Sequence, residues 1–537
     1  MPYARIVPAL FVVLVLVAGG RMVQAQTPDL GETTFPNSGA AEAQEPFLRG
    51  LLLLHSFEYE DAREAFQEAR RIDPDFAMAA WGEAMSHNHP VWFSQETEAA
   101  RDALKRLAPT LDGRLTKAPT DREKDYLRVA DVLFFGDGDK DTRDLAFAEA
   151  MRRLYEQYPD DLDAAAFYAL SLLGTSHGGR DFRIYMQAAA VVEEVFARNP
   201  NHPGAAHYLI HSYDDPIHAP VGLRAARVYA KIAPAAAHAL HMPSHIFVAM
   251  GMWDVVVASN EDSWAAADAR VERKGLGVNQ RGFHALWWLC YGYLQQGRFH
   301  DAKKMLDIIE EDERRSDGSG RTRYHLAVMR AAYLIGAEQW DGDAVAIDLD
   351  PSVLGLETAA IHLFATGMAA VKSGDEEKAR KTLATLMDRV AEGKEGSGLQ
   401  AATVMQHELK ALLLMDEGKP DDALALMQKA AEIEDAMRFD FGPPSPVKPA
   451  HELYGEMLLD LDRAAEAQEQ FRLALDRTPR RALALLGLAR AATRSGDAAT
   501  ARHAYDTLRQ IWHRADDDLA ALPEVLGALG EIDAGSQ

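Results

Sequence analysis

From Pro46 onward the apolar positions recur at three- and four-residue intervals and seldom alternate strictly. That period lines one face of an α-helix, whereas alternation would line one face of a strand. Ala, Leu, Glu, Arg and Met carry the pattern, so the chain is predicted to be almost all helix. Gly or Pro punctuates it at short intervals, marking brief connections. One unit recurs with fixed offsets. Gly50, Ala62, Phe66, Ala69 and Pro74 reappear as Gly455, Ala467, Phe471, Ala474 and Pro479, at 12, 16, 19 and 24 residues from the glycine in both. Weaker copies keep a Gly with an Ala five residues later, at Gly297/Ala302, Gly374/Ala379, Gly418/Ala423 and Gly496/Ala501. The glycine turns the chain between two helices and the small alanine lets them approach. Further units end at Pro159, Pro200 and Pro234. About ten helix pairs are expected over 46–520. The predicted fold is an all-α α-solenoid: a superhelix with a concave groove, in which each pair buries its apolar face only against its neighbours.

The organisation expected along the chain has five parts. Residues 1–25 read as a secretory signal, with Arg5 as the positive start, Ile6–Ala18 as the apolar run and Val23-Gln24-Ala25 as the cleavage site. The run is too short to span a bilayer, so no integral membrane segment is expected after cleavage, and the protein is expected in the periplasm or secreted. Residues 26–45 read as a flexible leader. Residues 46–290 form an N-terminal array with a His-rich site. Residues 291–520 form a second array with a Pro-rich insert at 441–449, and 521–537 are a tail.

Charge and cysteine content narrow the partners. The 537 residues hold 57 Lys plus Arg against 82 Asp plus Glu, a net charge of −25. Removing Arg5 and Arg21 with the signal brings it to −27. Such an acidic surface argues against nucleic acid as a partner, since that binding runs through basic patches. Cys290, the one cysteine, excludes an intrachain disulfide and any thiolate-rich metal site. Its neighbours Leu286, Leu289 and Tyr293 suggest a buried structural thiol.

Histidine placement is the informative feature. Residues 202–245 hold seven of the chain's 19 His: His202, His207, His211, His218, His238, His241 and His245. His207 to His241 and His211 to His245 are both 34 residues apart, the same distance as Pro200 to Pro234. Two successive repeats therefore carry the same His-x3-His pair, and a four-residue spacing puts both imidazoles on one helical face. Ala206, Leu209, Ile210 and Tyr213 occupy the packing stripe, which leaves His207, His211 and Asp214 directed towards the groove. Stacked repeats bring such positions within roughly 10 Å. The expected ligands of one or two transition-metal ions are His207, His211, His241 and His245, with His218, His238 and Asp214 behind them; His284 sits on the same face one repeat later. Zinc, copper and iron all suit such donors. A polar, pH-sensitive groove without metal, or a structural role, is the alternative. Pro243 complicates the second pair, because a helix starting there would leave His238 and His241 in a loop.

Three further segments stand near the site in sequence. His87-Asn88-His89 ends a helix, and Thr175–Arg180 is a glycine-containing loop. His177 and His89 are the candidates for proton transfer if the protein is catalytic. Phe441–Pro449 is a stiff stretch, read as a rigid linker or a lid over the groove. No phosphate-binding loop, nucleophile elbow or H-E-x-x-H motif occurs.

With these residues in view, the chain resembles the tetratricopeptide repeat (TPR) superfamily over most of 46–520. More narrowly, it is similar to a group of exported bacterial TPR proteins. The similarity rests on His207–Ala219, on His238–Phe247 and on the Gly-Pro-Pro…Lys-Pro-x-x-Glu segment Gly442–Glu452. This resemblance implies the fold and a shared His-rich site, and supplies no reaction. Two functions stay open. One is an exported TPR protein with a metal site in its groove, with hydrolysis or oxidation as its chemistry. The other is a non-catalytic scaffold that binds a peptide or protein partner in the groove.

Overall fold

The computed structural model describes residues 26–27, 29–316, 318–394 and 396–535. The signal segment Met1–Ala25 lies outside them. Antiparallel helix pairs follow one another along the chain, beginning with Gln44–His55 and Tyr59–Ile72 and ending with Ala482–Ser495 and Ala498–Ile511. The strands among the described residues are only two residues long. This is the all-α solenoid that the helical period predicts.

The repeated glycines do two different jobs. Gly50 and Gly455 lie inside helices, where a Cβ would meet the rings of Phe66 and Phe471 at 2.9 Å. Gly82 and Gly487, two helices later, abut the same two rings. Each phenylalanine is thus held between two bare backbones. Gly297, Gly374, Gly418 and Gly496 instead sit at inter-helix turns with φ between +67° and +82°, a region open to glycine at little cost.

Regularity fails at three places. Helix Gly320–Gly336 is followed by an irregular run through Asp343–Ala346 and Pro351–Val353 rather than by a full partner helix. Residues 437–449 carry no helix and include a cis Ser445–Pro446 peptide. At Met242 the chain changes from helix Ala237–His241 to helix Pro243–Ala249. Met242 stays in the right-handed helical region, its N–H donates to His238 O, and the His245 N–H donates back to Met242 O. Pro243 therefore starts a new segment without ejecting His238 and His241 into a loop.

Several expected boundaries shift. Residues 29–43 are docked: Leu30 and Phe35 are buried, Thr33 Oγ1 donates to Asp163 Oδ2 at 2.8 Å, and Phe35 packs on Phe47, Trp81 and Tyr126. These apolar residues are few and widely spaced, so the segment reads as polar until its partners are known. The expected division after residue 290 falls inside helix Phe283–Gln295, and one core runs from Leu30 to Val525. Residues 522–535, expected as tail, form a helix tied to the last repeat by Arg490–Glu524 and Tyr505–Glu524 hydrogen bonds. No helix among the described residues is long and apolar enough to cross a membrane.

The superhelix also closes on itself. Arg270 and Lys274 reach Asp61 in the second helix. Trp253 Nε1 donates to Arg480 O, and Gln295 Oε1 accepts from Ala482 N. Cys290 is buried, donates weakly to Ala302 O, and burial pushes its thiol up to about 12.

Candidate functional site

Helix Pro203–Tyr213 is buried along its whole length, because helix Gln44–His55 and the turn that follows it cover the face that bears His207 and His211. His207 Nδ1 donates to His55 O at 2.7 Å. A carbonyl only accepts, so this bond fixes the proton on Nδ1 and leaves Nε2 as a bare acceptor. The turn residue Phe57 has φ +55°, unusual for a side chain of its size, and its ring lies 4.2 Å from that of His207 and 5.6 Å from that of His238.

The second His pair is built in the same way. His241 Nδ1 is 2.7 Å from Asn260 Oδ1, and His245 Nδ1 is 2.9 Å from Asp214 Oδ2. The two Nε2 atoms then face each other at 3.1 Å. Asp214 Oδ2 also lies 3.4 Å from His211 Nδ1, so one carboxylate orients one imidazole from each pair. Arg180 pairs with Asp214 and, at 3.5 Å, with Asp215. Burial alone would raise the Asp214 carboxyl, but the Arg180 guanidinium and the two imidazole N–H groups hold it well below the usual carboxylate range.

Two three-histidine sets emerge. In each, one nitrogen from every ring lies within 4.8 Å of the others: His207, His211 and His238 in one, and His241, His245 and His284 in the other. Among the described residues, Nε2 of His207, His211 and His238 finds no hydrogen-bond partner although all three atoms are buried. Burial also lowers the pKa of His207, His238, His241 and His284 well below the ordinary imidazole value, and brings His245 to about 4. These rings are neutral at pH 7, the form in which imidazole offers a lone pair.

The surroundings are aromatic. Trp288 stacks on His245 at 4.5 Å, and Phe441 stacks on its other flank at 4.9 Å. Phe441 comes from the Pro-rich insert, which crosses back over the cluster. Arg438 there donates to Gly179 O, Phe439 packs on Phe182, and Gly442 abuts Trp288 so closely that no side chain fits. Of the two readings of this stretch, the structure favours the lid. His238, His241 and His284 open onto a cavity of about 660 Å³, also lined by Tyr59, His89, Trp92 and Tyr324.

Not every expected residue joins. His218 lies 2.9 Å from Asp215 Oδ2 and packs on Phe182. His177 is 2.9 Å from Asp144 Oδ2 and packs on Phe93, tied to a different helix. Both stand close to the cluster in sequence, and each is paired with a nearby carboxylate instead. Asp214 pairs with Arg180 and orients His245 and His211, and with those two imidazoles it also forms a third group whose donor atoms lie within 4.8 Å of one another. His89 lies in a short hairpin, Asn88–His89 against Ser94–Gln95, and does reach the cavity. Asn260, Phe57 and Trp288 had no recognisable signal in the sequence.

A separate buried group, His55, Asp163 and His202, lies behind the cluster. His55 bonds Tyr208 and Asp163, and Asp163 also accepts from Thr33, so this group anchors the docked N-terminal segment.

Comparison with known proteins agrees with the repeat architecture. Residues 455–517 match the tetratricopeptide repeat family, and the helix pairs define the fold as an α-solenoid. None of the curated proteins matches. Among solved structures, the chain is similar to a human IFIT1 dimer with PPP-AAAA, at 12% identity and TM-score 0.37, covering 87% of this chain and 90% of that one. It is also similar to the Cut9-Hcn1 hetero-tetramer of APC/C, at 10% identity and TM-score 0.31, covering 92% and 96%. The TPR domain of P58(IPK) follows at 13% identity and TM-score 0.24, covering 85% and 99%. Likenesses this distant bear on neither ligand nor partner.

Proposed function

We propose that this is an exported TPR-type protein that binds a transition metal, zinc, copper or iron, in the His-lined pocket of its superhelix, and uses it in hydrolysis or oxidation. The observation that carries the reading is the set of three buried and unpartnered imidazole nitrogens of His207, His211 and His238. Leaving a buried acceptor unsatisfied costs about 1–3 kcal/mol, and three brought together is a cost that a metal ion would remove. The outward Nδ1 bonds of His207, His241 and His245 match the way ligating imidazoles are usually held. A three-nitrogen set leaves a coordination position open, as catalytic metal sites do. From the cavity wall, His89 is placed to exchange protons with a bound substrate.

Elemental analysis of the purified mature protein tests this, run beside a His207→Ala/His238→Ala double variant of unchanged helicity. Near-stoichiometric metal lost in the variant is the expected result. No metal in either, even after incubation with each ion, refutes it. N-terminal sequencing of the exported protein, with a start after Ala25, tests the signal.

A second reading rests on the TPR match at 455–517: this repeat family characteristically binds protein partners, and the C-terminal repeats are the most regular. Pull-down with residues 350–535 intact and the His sites mutated separates that role from the metal.

A further inference from the structure

The six imidazoles are not one loose cluster. They fall into two sets of related build. Each takes a His-x3-His pair, His207 and His211 from helix Pro203–Tyr213, His241 and His245 from either side of the break at Met242, and adds a third imidazole from near the start of a later helix, His238 in Ala237–His241 or His284 in Phe283–Gln295. The sets are side by side. Ring centroids of His211 and His245 are 5.3 Å apart, and those of His238 and His241 are 6.0 Å apart. The two His-x3-His pairs have nearly the same ring spacing, 4.9 Å for His207–His211 and 5.0 Å for His241–His245, and the third rings approach at 5.0 Å (His207–His238) and 4.6 Å (His241–His284). Asp214 spans them, with its Oδ2 facing Nδ1 of His211 on one side and of His245 on the other.

Resting on the metal-binding reading above, we infer that the pocket holds a pair of copper ions, one in each three-histidine set, whose exogenous ligand is a small oxygen species bridging both, dioxygen when the pair is reduced. Metal–nitrogen bonds of about 2 Å place each ion at the centre of its triad. Neighbouring triads are the arrangement in which two ions can share one small ligand, as in two-metal sites with ions about 3.5–4 Å apart. The donor set selects the metal. It is all imidazole nitrogen: Asp214 is paired with Arg180 and Glu58 accepts from the His238 backbone N–H, so hard-cation chemistry based on carboxylates is disfavoured. Among imidazole-binding divalent ions the affinity order peaks at copper. With no protein anion in either set, a bridging anion supplies the missing negative charge, and the cavity beside His238, His241 and His284 gives it a way in. The electron count closes within the pair. Each Cu(I) gives up one electron, dioxygen takes both to reach the peroxide level, and no outside reductant enters that step.

The test uses the full mature chain stripped of metal and reloaded with copper. The expected result is two copper ions per chain and, after air oxidation, an electron paramagnetic resonance signal accounting for less than a tenth of the copper, because two bridged Cu(II) ions couple. Azide should bind at one equivalent per chain with a new near-ultraviolet band. His238→Ala and His284→Ala should each hold one copper and recover the full signal. His284 makes no hydrogen bond to the fold that is needed for packing, so that variant is expected to fold, which circular dichroism checks. One copper per chain, or two with full independent signals, overturns the pairing and leaves the metal-binding reading intact. Two zinc ions with no copper uptake overturn the copper assignment. No metal of any kind overturns both.

Discussion

Asp214 concentrates the residue-scale logic of the pocket. It sits just past the end of helix Pro203–Tyr213, fully buried, and its two oxygens serve Arg180, His211 and His245 at once. A charged acceptor inside an aromatic pocket persists because a guanidinium balances it, and the balanced carboxylate then sets which nitrogen of each imidazole carries the proton. Asn260 does the same for His241 without charge. Asn260→Ala is expected to lower metal affinity 10–100-fold with helicity unchanged, read by chelator competition. Away from the pocket, burial and the adjacent Arg330 bring His362 to about 4. Between about pH 6.5 and 4 the unfolded chain then takes up a proton that the folded chain refuses. Stability is therefore held above pH 6.5 and lost as pH falls through that window, by roughly 3 kcal/mol for this group. His362→Gln should flatten the corresponding part of a melting-temperature profile against pH.

At the scale of elements, the paired glycines show what the 34-residue repeat is for. Phe66 lies between Gly50 and Gly82, and Phe471 between Gly455 and Gly487, so a large ring fills the gap where three helices meet. Adding one methyl group there forces ring or backbone to move. Gly487→Ala should destabilise the protein by about 1–3 kcal/mol despite its better helix propensity, as measured by urea denaturation. The same substitution at Gly527, where a Cβ meets nothing, should be neutral or slightly stabilising. The break at Met242–Pro243 is the converse case. Proline removes one backbone hydrogen bond, but because it takes the first position of a new helix the imidazoles on either side keep their facing.

The whole molecule is held closed by contacts distant in sequence. Arg481 makes two hydrogen bonds to Glu452, at 2.7 and 3.1 Å, and one to Tyr291 OH, while Lys448 meets Glu452 at 2.9 Å. This buried network joins the end of the Pro-rich strap to helix Phe283–Gln295, which carries His284 and Trp288. Arg481→Ala leaves Glu452 with Lys448 alone and should cost about 3–5 kcal/mol, seen as a lower unfolding midpoint. Its loss should also loosen Phe441 from His245, so that bound metal exchanges with a chelator several-fold faster than in the unaltered protein.

Periodicity and spacing by themselves determined the helical solenoid, the repeat unit and the pair of His-x3-His motifs, because a helix fixes which residues share a face from local geometry alone. That His89 lines the cavity while His177 does not was decided by the tertiary structure. Periodicity and spacing could not show that His218 and His177 are drawn off by Asp215 and Asp144, nor that Asp214 is an orienting group. They could not show that residues 29–43 are docked or that Phe441 covers His245 from some 200 positions away. Those outcomes depend on how far the superhelix turns before repeats distant in sequence meet. That turn is the sum of many small packing angles between neighbouring helices, and no single stretch of sequence encodes it.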